Sequence, residues 1–197
     1  MRMSFIEFVG PPGSGKTTAA KQLLSLDHQL GAGRRTLVDT KRDLQVGRFG
    51  VPHHLSSVWR ILTGFPRDLL LAINFSLVLQ APIGARFKRT FAIWGLLVKS
   101  RLLSSSKDLW VIDQGLQQFI LTCRAYRYLQ EQHASFWRDK LKKKPYGADE
   151  LHHVTLNYDV LCERIKTSEK HIQQMGKLSL NEYVSRHTDS YYELWHS

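Results

Sequence analysis

The stretch GPPGSGKTT, residues 10–18, places Gly10, Gly15, Lys16 and Thr17 in the pattern G-x-x-x-x-G-K-[ST]. Glycines at 10, 13 and 15 let backbone N–H groups converge without side chains in the way, and the positive end of a following helix adds to the same field. Such a cradle holds phosphate oxygens, here with Gly10, Pro11, Gly13, Ser14, Gly15, Lys16, Thr17 and Thr18 around them. Lys16 is long enough to reach the β- and γ-phosphates of a nucleoside triphosphate, and the Thr17 hydroxyl is of the type that ligates Mg²⁺. Average residue usage makes a chance match in a chain of this length rarer than about one in a hundred.

That chemistry needs a strand before the loop, a helix after it, and a carboxylate to hold the metal directly or through water. SFIEFV, residues 4–9, is a short β-forming apolar run of the kind buried on both faces of a sheet. Beyond the loop, Ala19, Ala20, Leu23, Leu24 and Leu26 recur at helical spacing until Gly31 and Gly33. RTLVDT (35–40), LWVID (109–113) and HHVTLNY (152–158) read as three further strands. Asp113 closes its strand just before Gln114 and Gly115, at the carboxyl edge where open α/β sheets bind ligands, and is the candidate second metal residue beside Thr17. A cap on the helix beginning near Leu116 is the other role open to it.

Between these strands lie helical stretches. One carries Trp59 and Leu62, Pro66 opens a second, and Phe87, Phe91, Trp94, Val98 and Leu102 run through a third. Helices also fill residues 116–142 and two segments after Asp159. Strands alternating with helices predict an α/β fold of three layers, a parallel sheet flanked by helices on both faces. A chain of 197 residues with 43% hydrophobic and 23% charged residues fits one such domain, 1–197.

The 28 Lys and Arg against 17 Asp and Glu leave a net charge of +11, which favours anionic partners without choosing among them. Cys123 and Cys162 match no metal or redox spacing and read as two buried thiols in a reducing compartment. The amino terminus runs straight into the glycine-rich loop, which predicts a cytoplasmic protein. The longest apolar stretch, Leu69 to Leu79, is broken by Asn74 and Ser76 and falls short of the roughly 20 residues that a membrane span needs.

In order along the chain, FIEFVGPPGSGKTT, LWVIDQG and HHVTLNYDVLCERIK resemble the small P-loop kinases of nucleosides and nucleotides, with thymidylate-kinase-like and deoxynucleoside-kinase-like members. The resemblance runs from Ser4 to about Lys170, and its specific part is the phosphate loop. It implies a nucleoside-monophosphate-kinase-like P-loop fold with a helical insertion on the acceptor side (53–104) and a short lid (about 163–178). It also implies ATP and Mg²⁺ as cofactors, and Asp113 as metal or base residue. Asp39, with Asp43 behind it, falls where these kinases carry a carboxylate that contacts or activates the acceptor. Arg164, Lys166 and Lys170 fall in the lid, where cations neutralise the transferring phosphoryl. The chain departs from the family in three ways: Gln114 replaces the arginine after the third-strand carboxylate, the lid has one arginine, and no fifth strand is evident.

The segment from Leu69 to Lys107 contains no carboxylate but includes Arg86, Lys88, Arg89, Lys99, Arg101 and Lys107. The ordinary expectation is a helix with Phe87, Phe91, Trp94 and Val98 on its core face and a solvated basic side. Sharper alternatives are cations lining the acceptor cleft, or a basic helix over 84–103 lying on an anionic membrane surface. Basic residues among aromatics could also track RNA, but no stacking module is present, so nucleic acid is not expected as a partner. His53, His54, His152 and His153 match no zinc spacing and read as loop and strand-end residues.

Together these features predict an ATP-dependent kinase that transfers a γ-phosphoryl to a small anionic or hydroxyl acceptor, using Lys16, Asp113, Asp39 and Arg164. The alternative is a P-loop ATPase or GTPase switch whose nucleotide state controls binding to nucleic acid, membrane or a protein. A homodimer stays open as the assembly.

Overall fold

In the structure, a computed structural model, residues 5–29, 35–38, 55–104 and 109–196 are described. Among them β1 (Phe5–Val9), β2 (Arg35–Val38), β3 (Leu109–Ile112) and β4 (Glu150–His153) form one parallel sheet in the order β2-β3-β1-β4. The apolar alternation of β1 explains how it is covered. Ile6 and Phe8 pack with Ala20 of α1 (Lys16–Gln29) and Val111, whereas Val9 joins a separate cluster with Leu116 and Ile120 of α4 (Leu116–Ala125). Successive side chains of a strand point to opposite faces, so helices cover the central strand from both sides.

The larger cluster also draws on α2 (Leu55–Leu77), α3 (Ile83–Ser104), α5 (Glu131–Leu141) and α8 (Leu180–Trp195), through Phe75, Ile93, Trp137 and Tyr191 among others. A smaller cluster holds Leu161 and Ile165 of α6 (Tyr158–Lys166) against Tyr183 and Val184 of α8. The short α7 (Glu169–Met175) lies between α6 and α8 in the chain and adds Met175 to that cluster. Cys123 and Cys162 are both buried free thiols.

Several boundaries differ from the sequence expectation. β4 occupies Glu150–His153 and not 152–158. Val154 still donates its N–H to the Val9 carbonyl at 2.8 Å, but Asn157 then turns its side chain to accept from Asp159 N at 2.9 Å and starts α6. An Asn that caps a helix withdraws its backbone from a strand ladder. Pro66 lies inside α2 rather than opening a helix, so the helix runs on despite one missing backbone donor. The stretch 116–142 splits into α4 and α5, because Arg127 adopts φ 57° and the Tyr128 N–H returns to the Cys123 carbonyl at 2.9 Å. Three helices rather than two follow β4, and no strand follows it among the described residues.

The face of α3 is also corrected. Its buried residues are Ile93, Leu96, Leu97, Lys99, Ser100 and Leu103, while Phe87 and Phe91 are exposed. Its cations form no single solvent-facing stripe. Lys99 is buried, Arg86 donates to the Leu79 carbonyl at 2.9 Å, and Arg101 donates to Asp68 through Nε at 2.9 Å. Asp68 is fully buried, and its other oxygen accepts the Tyr146 hydroxyl at 2.8 Å. This pair fastens α2 to α3, and burial together with the Asp68 carboxylate pushes the Tyr146 phenol up to about 12. No helix among the described residues is long and apolar enough to cross a membrane.

Candidate functional site

The phosphate-type loop leaves β1 at Gly10 and enters α1 at Lys16. Two of its glycines are required by backbone conformation, Gly13 at φ 75° and Gly15 at φ 92°. Gly10 is required by close approach, since a Cβ there would lie 2.0 Å from the Val154 carbonyl oxygen. Its N–H donates to Gln118 Oε1 at 3.0 Å, which ties the start of the loop to α4. Lys16 is almost wholly buried, and its ammonium donates to the Gly10 and Pro11 carbonyls at 2.8 Å each. Burial lowers the Lys16 amine to about 7, and Lys170 adds to that effect while Asp113 opposes it. Pro11 and Ser14 are buried beside it, and Thr18 lines the cleft onto which the loop opens.

Thr17 and Asp113 are brought together from opposite parts of the chain. The Thr17 hydroxyl donates to Asp113 Oδ2 at 2.7 Å. Asp113 is buried, and its Oδ1 has no hydrogen-bond partner among the described residues. A bare carboxylate oxygen beside a threonine hydroxyl is an all-oxygen donor set of the kind hard cations take, so this pair fits a magnesium ion held directly or through water. Asp113 does not cap α4, because that helix starts from Gly115 without a side-chain cap.

The first turn of α4 is served by Glu7 instead. The Glu7 carboxylate accepts the Gln118 N–H at 3.0 Å, and a Cβ on Gly115 would fall 2.4 Å from it. Complete burial raises this carboxyl to about 7, against the lowering effect of the backbone N–H groups around it. Nothing in the sequence pattern singled out Glu7, which stands in an otherwise apolar strand.

A cleft of about 730 Å³ opens at the loop, lined by Gly13, Gly15, Lys16, Thr17 and Thr18 at one part and by α3, α4, α7 and α8 elsewhere. The cations of the segment expected to form a lid separate here. Arg164 lines the cleft and donates to the Gly13 carbonyl at 3.3 Å, and Lys170 lines it too, whereas Lys166 pairs with Glu163 on the exposed surface. Gln114 also borders the cleft. Asp39 and Asp43, with His53, His54 and Lys107, lie outside the described residues. His152 and His153 end β4 and contact Glu150 and Tyr191.

Tyr126, Gln174, Tyr183 and His187 are among the cleft residues that had no sequence signal. The Tyr126 hydroxyl donates to the Gln174 carbonyl at 2.9 Å, holding α7 to the end of α4. His187 Nδ1 donates to the Tyr183 carbonyl at 2.8 Å, which leaves Nε2 as an acceptor. Burial lowers this imidazole to about 4, so it stays neutral at physiological pH. Each of these residues reaches the cleft only through the packing of α8 and α7 on α4, and local spacing carries no trace of that packing.

Comparison with known proteins adds a likeness among solved structures. No protein-family model matches the chain, and no curated protein matches it. Among solved structures it is similar to a deoxyadenosine kinase from M. mycoides with bound dATP, at 15% identity over 98% of this chain and 84% of that chain, with a TM-score of 0.49.

Proposed function

We propose that this protein is an ATP-dependent kinase that transfers the γ-phosphoryl of ATP to a small acceptor in the cleft, most like kinases of nucleosides and nucleotides. The observation that carries the reading is the Thr17–Asp113 contact at 2.7 Å, set at the foot of a glycine-rich loop that opens on a cleft. In this reading the backbone N–H groups of residues 13–18 and the Lys16 ammonium bind the phosphates, and Lys16 leaves its own loop carbonyls to do so. Magnesium held by Thr17 and Asp113 supplies charge neutralisation on the phosphates. Arg164 and Lys170 offset negative charge that develops on the transferring group.

In the transfer, an acceptor oxygen forms a bond to the γ-phosphorus while the bond to the bridging oxygen breaks and ADP departs. A hydroxyl acceptor gives its proton to a carboxylate, Asp39 or Asp113. Phosphoryl transfer is mostly positioning and charge neutralisation, and a cation-lined cleft next to the loop suits both. The same cleft favours a small-molecule acceptor over a switch that reads out nucleotide state through a surface.

The test is a transfer screen with labelled ATP over nucleosides, nucleotides and sugars, run beside Lys16→Ala. Transfer to at least one acceptor, abolished in a folded Lys16→Ala protein, is expected. ATP hydrolysis that RNA or liposomes stimulate and no metabolite affects would replace the kinase with a switch.

A further inference from the structure

Arg89 is the cation that the reading above leaves without work. Together with Ala92 and Leu96 it turns one face of α3 to the cleft, at i, i+3 and i+7. Its guanidinium carbon lies 5.8 Å from the ring centre of Phe119, 5.7 Å from Tyr126 and 5.6 Å from Tyr128. Three aromatic faces hold the group in place. Among the described residues it makes no ion pair and no hydrogen bond, in contrast to Arg101, Arg124 and Arg138, which each face a carboxylate. The described lining of the cleft includes Lys16, Arg89, Arg164 and Lys170 and not a single carboxylate.

We infer that Arg89 binds the anionic group of the phosphoryl acceptor, and that this acceptor is a small phosphate monoester rather than a neutral nucleoside or sugar. The inference rests on the kinase reading and deepens it. A guanidinium presents donors in a planar fork that matches two phosphate oxygens, and beside a described cleft lining that holds cations and no carboxylate an anionic ligand is the partner that satisfies them. The residues at the phosphate loop already provide for the triphosphate, whereas Arg89 stands on a different helix with its own aromatic support. A phosphate monoester also removes the need for a base. Its second pKa is about 6, so its attacking oxygen is deprotonated at neutral pH. That oxygen bonds to the γ-phosphorus, the bond to the bridging oxygen breaks, ADP leaves with the electron pair, and no proton has to be taken from the acceptor.

The test compares wild type with Arg89→Met and Arg89→Lys on nucleoside 5′-monophosphates, sugar phosphates, small carboxylates and the matching unphosphorylated compounds. Transfer to phosphate monoesters is expected, with the acceptor KM raised about 10- to 100-fold in Arg89→Met, as loss of hydrogen bonds to a charged group predicts. ATP affinity should stay within a few fold, and Arg89→Lys, which keeps the charge without the fork, should fall between. Transfer only to unphosphorylated compounds or carboxylates overturns the inference, as does an unchanged acceptor KM in Arg89→Met. If no compound is phosphorylated the kinase reading fails, and equilibrium dialysis of labelled nucleoside monophosphates then judges the anion site separately. Binding that Arg89→Met abolishes supports the site, and equal or absent binding overturns it.

Discussion

Glu7 accepts the backbone N–H of Gln118 at 3.0 Å, and Gln118 in turn accepts the N–H of Gly10 through its side chain at 3.0 Å. A buried carboxylate in β1 is thereby joined to the first residue of the phosphate-type loop by way of the first turn of α4. The N-terminal N–H groups of that helix offset part of the cost of burying the charge.

This arrangement sets a pH dependence of stability. The Glu7 carboxyl is raised from 4.5 to about 7 in the folded protein, so the folded state holds its proton more tightly than the unfolded chain. The associated stability is present below about pH 4.5 and is lost as pH rises through 7, with a slope of at most about 1.4 kcal/mol per pH unit. Urea melts of wild type and Glu7→Gln between pH 5 and 8 should show this loss in wild type and a flatter profile in the variant. Identical slopes would refute it.

Lys16 titrates in the opposite sense. Burial lowers its amine from 10.5 to about 7, so at pH 8 the ligand-free protein holds it largely neutral. Triphosphate bound against it restores the charge, and binding should take up about one proton at pH 8 and close to none at pH 6. Calorimetry in buffers of different ionisation enthalpy measures that uptake. Lys16→Met should remove it, and an equal uptake in both proteins would clear Lys16 of the role.

Thr17 and Asp113 make a joint prediction. Asp113→Asn keeps an acceptor for the Thr17 hydroxyl but removes the charge, and Thr17→Val removes the hydroxyl itself. Each should raise the Mg²⁺ concentration for half-maximal transfer about 10- to 100-fold, a range typical of losing a metal-site partner. Titration of Mg²⁺ at fixed ATP reads the shift directly. An unmoved midpoint in both variants would take the metal away from this pair.

Asp68 bears on stability and not on chemistry. Asp68→Ala leaves Arg101 and Tyr146 facing a buried gap and should cost about 3–5 kcal/mol in urea unfolding. The double replacement Asp68→Leu with Arg101→Met removes both charges and should recover most of that loss. A double variant no more stable than the single one would show that the pair contributes net stability.

The sequence made the loop legible because its chemistry is local. Gly13 and Gly15 adopt positive φ within three residues of each other, and Lys16 follows at once, so backbone conformation and residue type are written in one short stretch. β1 was legible for a related reason: a strand buried on both faces must be apolar throughout, Glu7 excepted. The helices after it were harder. α3 carries apolar residues on two sides, so Phe87, Phe91 and Trp94 gave as good a period as Ile93, Leu96 and Leu97, and only packing against α2 and α4 chose the second set.

By itself, then, the sequence determined the phosphate-type loop, the strand–helix alternation of an α/β fold and the acid Asp113 at a strand end, each a matter of neighbouring residues. Tertiary structure alone decided that Thr17 meets Asp113, that Glu7 anchors α4, and that Arg101 turns to Asp68 while Arg89 turns to the cleft. The two arginines lie twelve residues apart on one helix and are chemically identical. What separates them is the presence of a buried carboxylate beside one and three aromatic rings beside the other, supplied by parts of the chain that meet only when it folds.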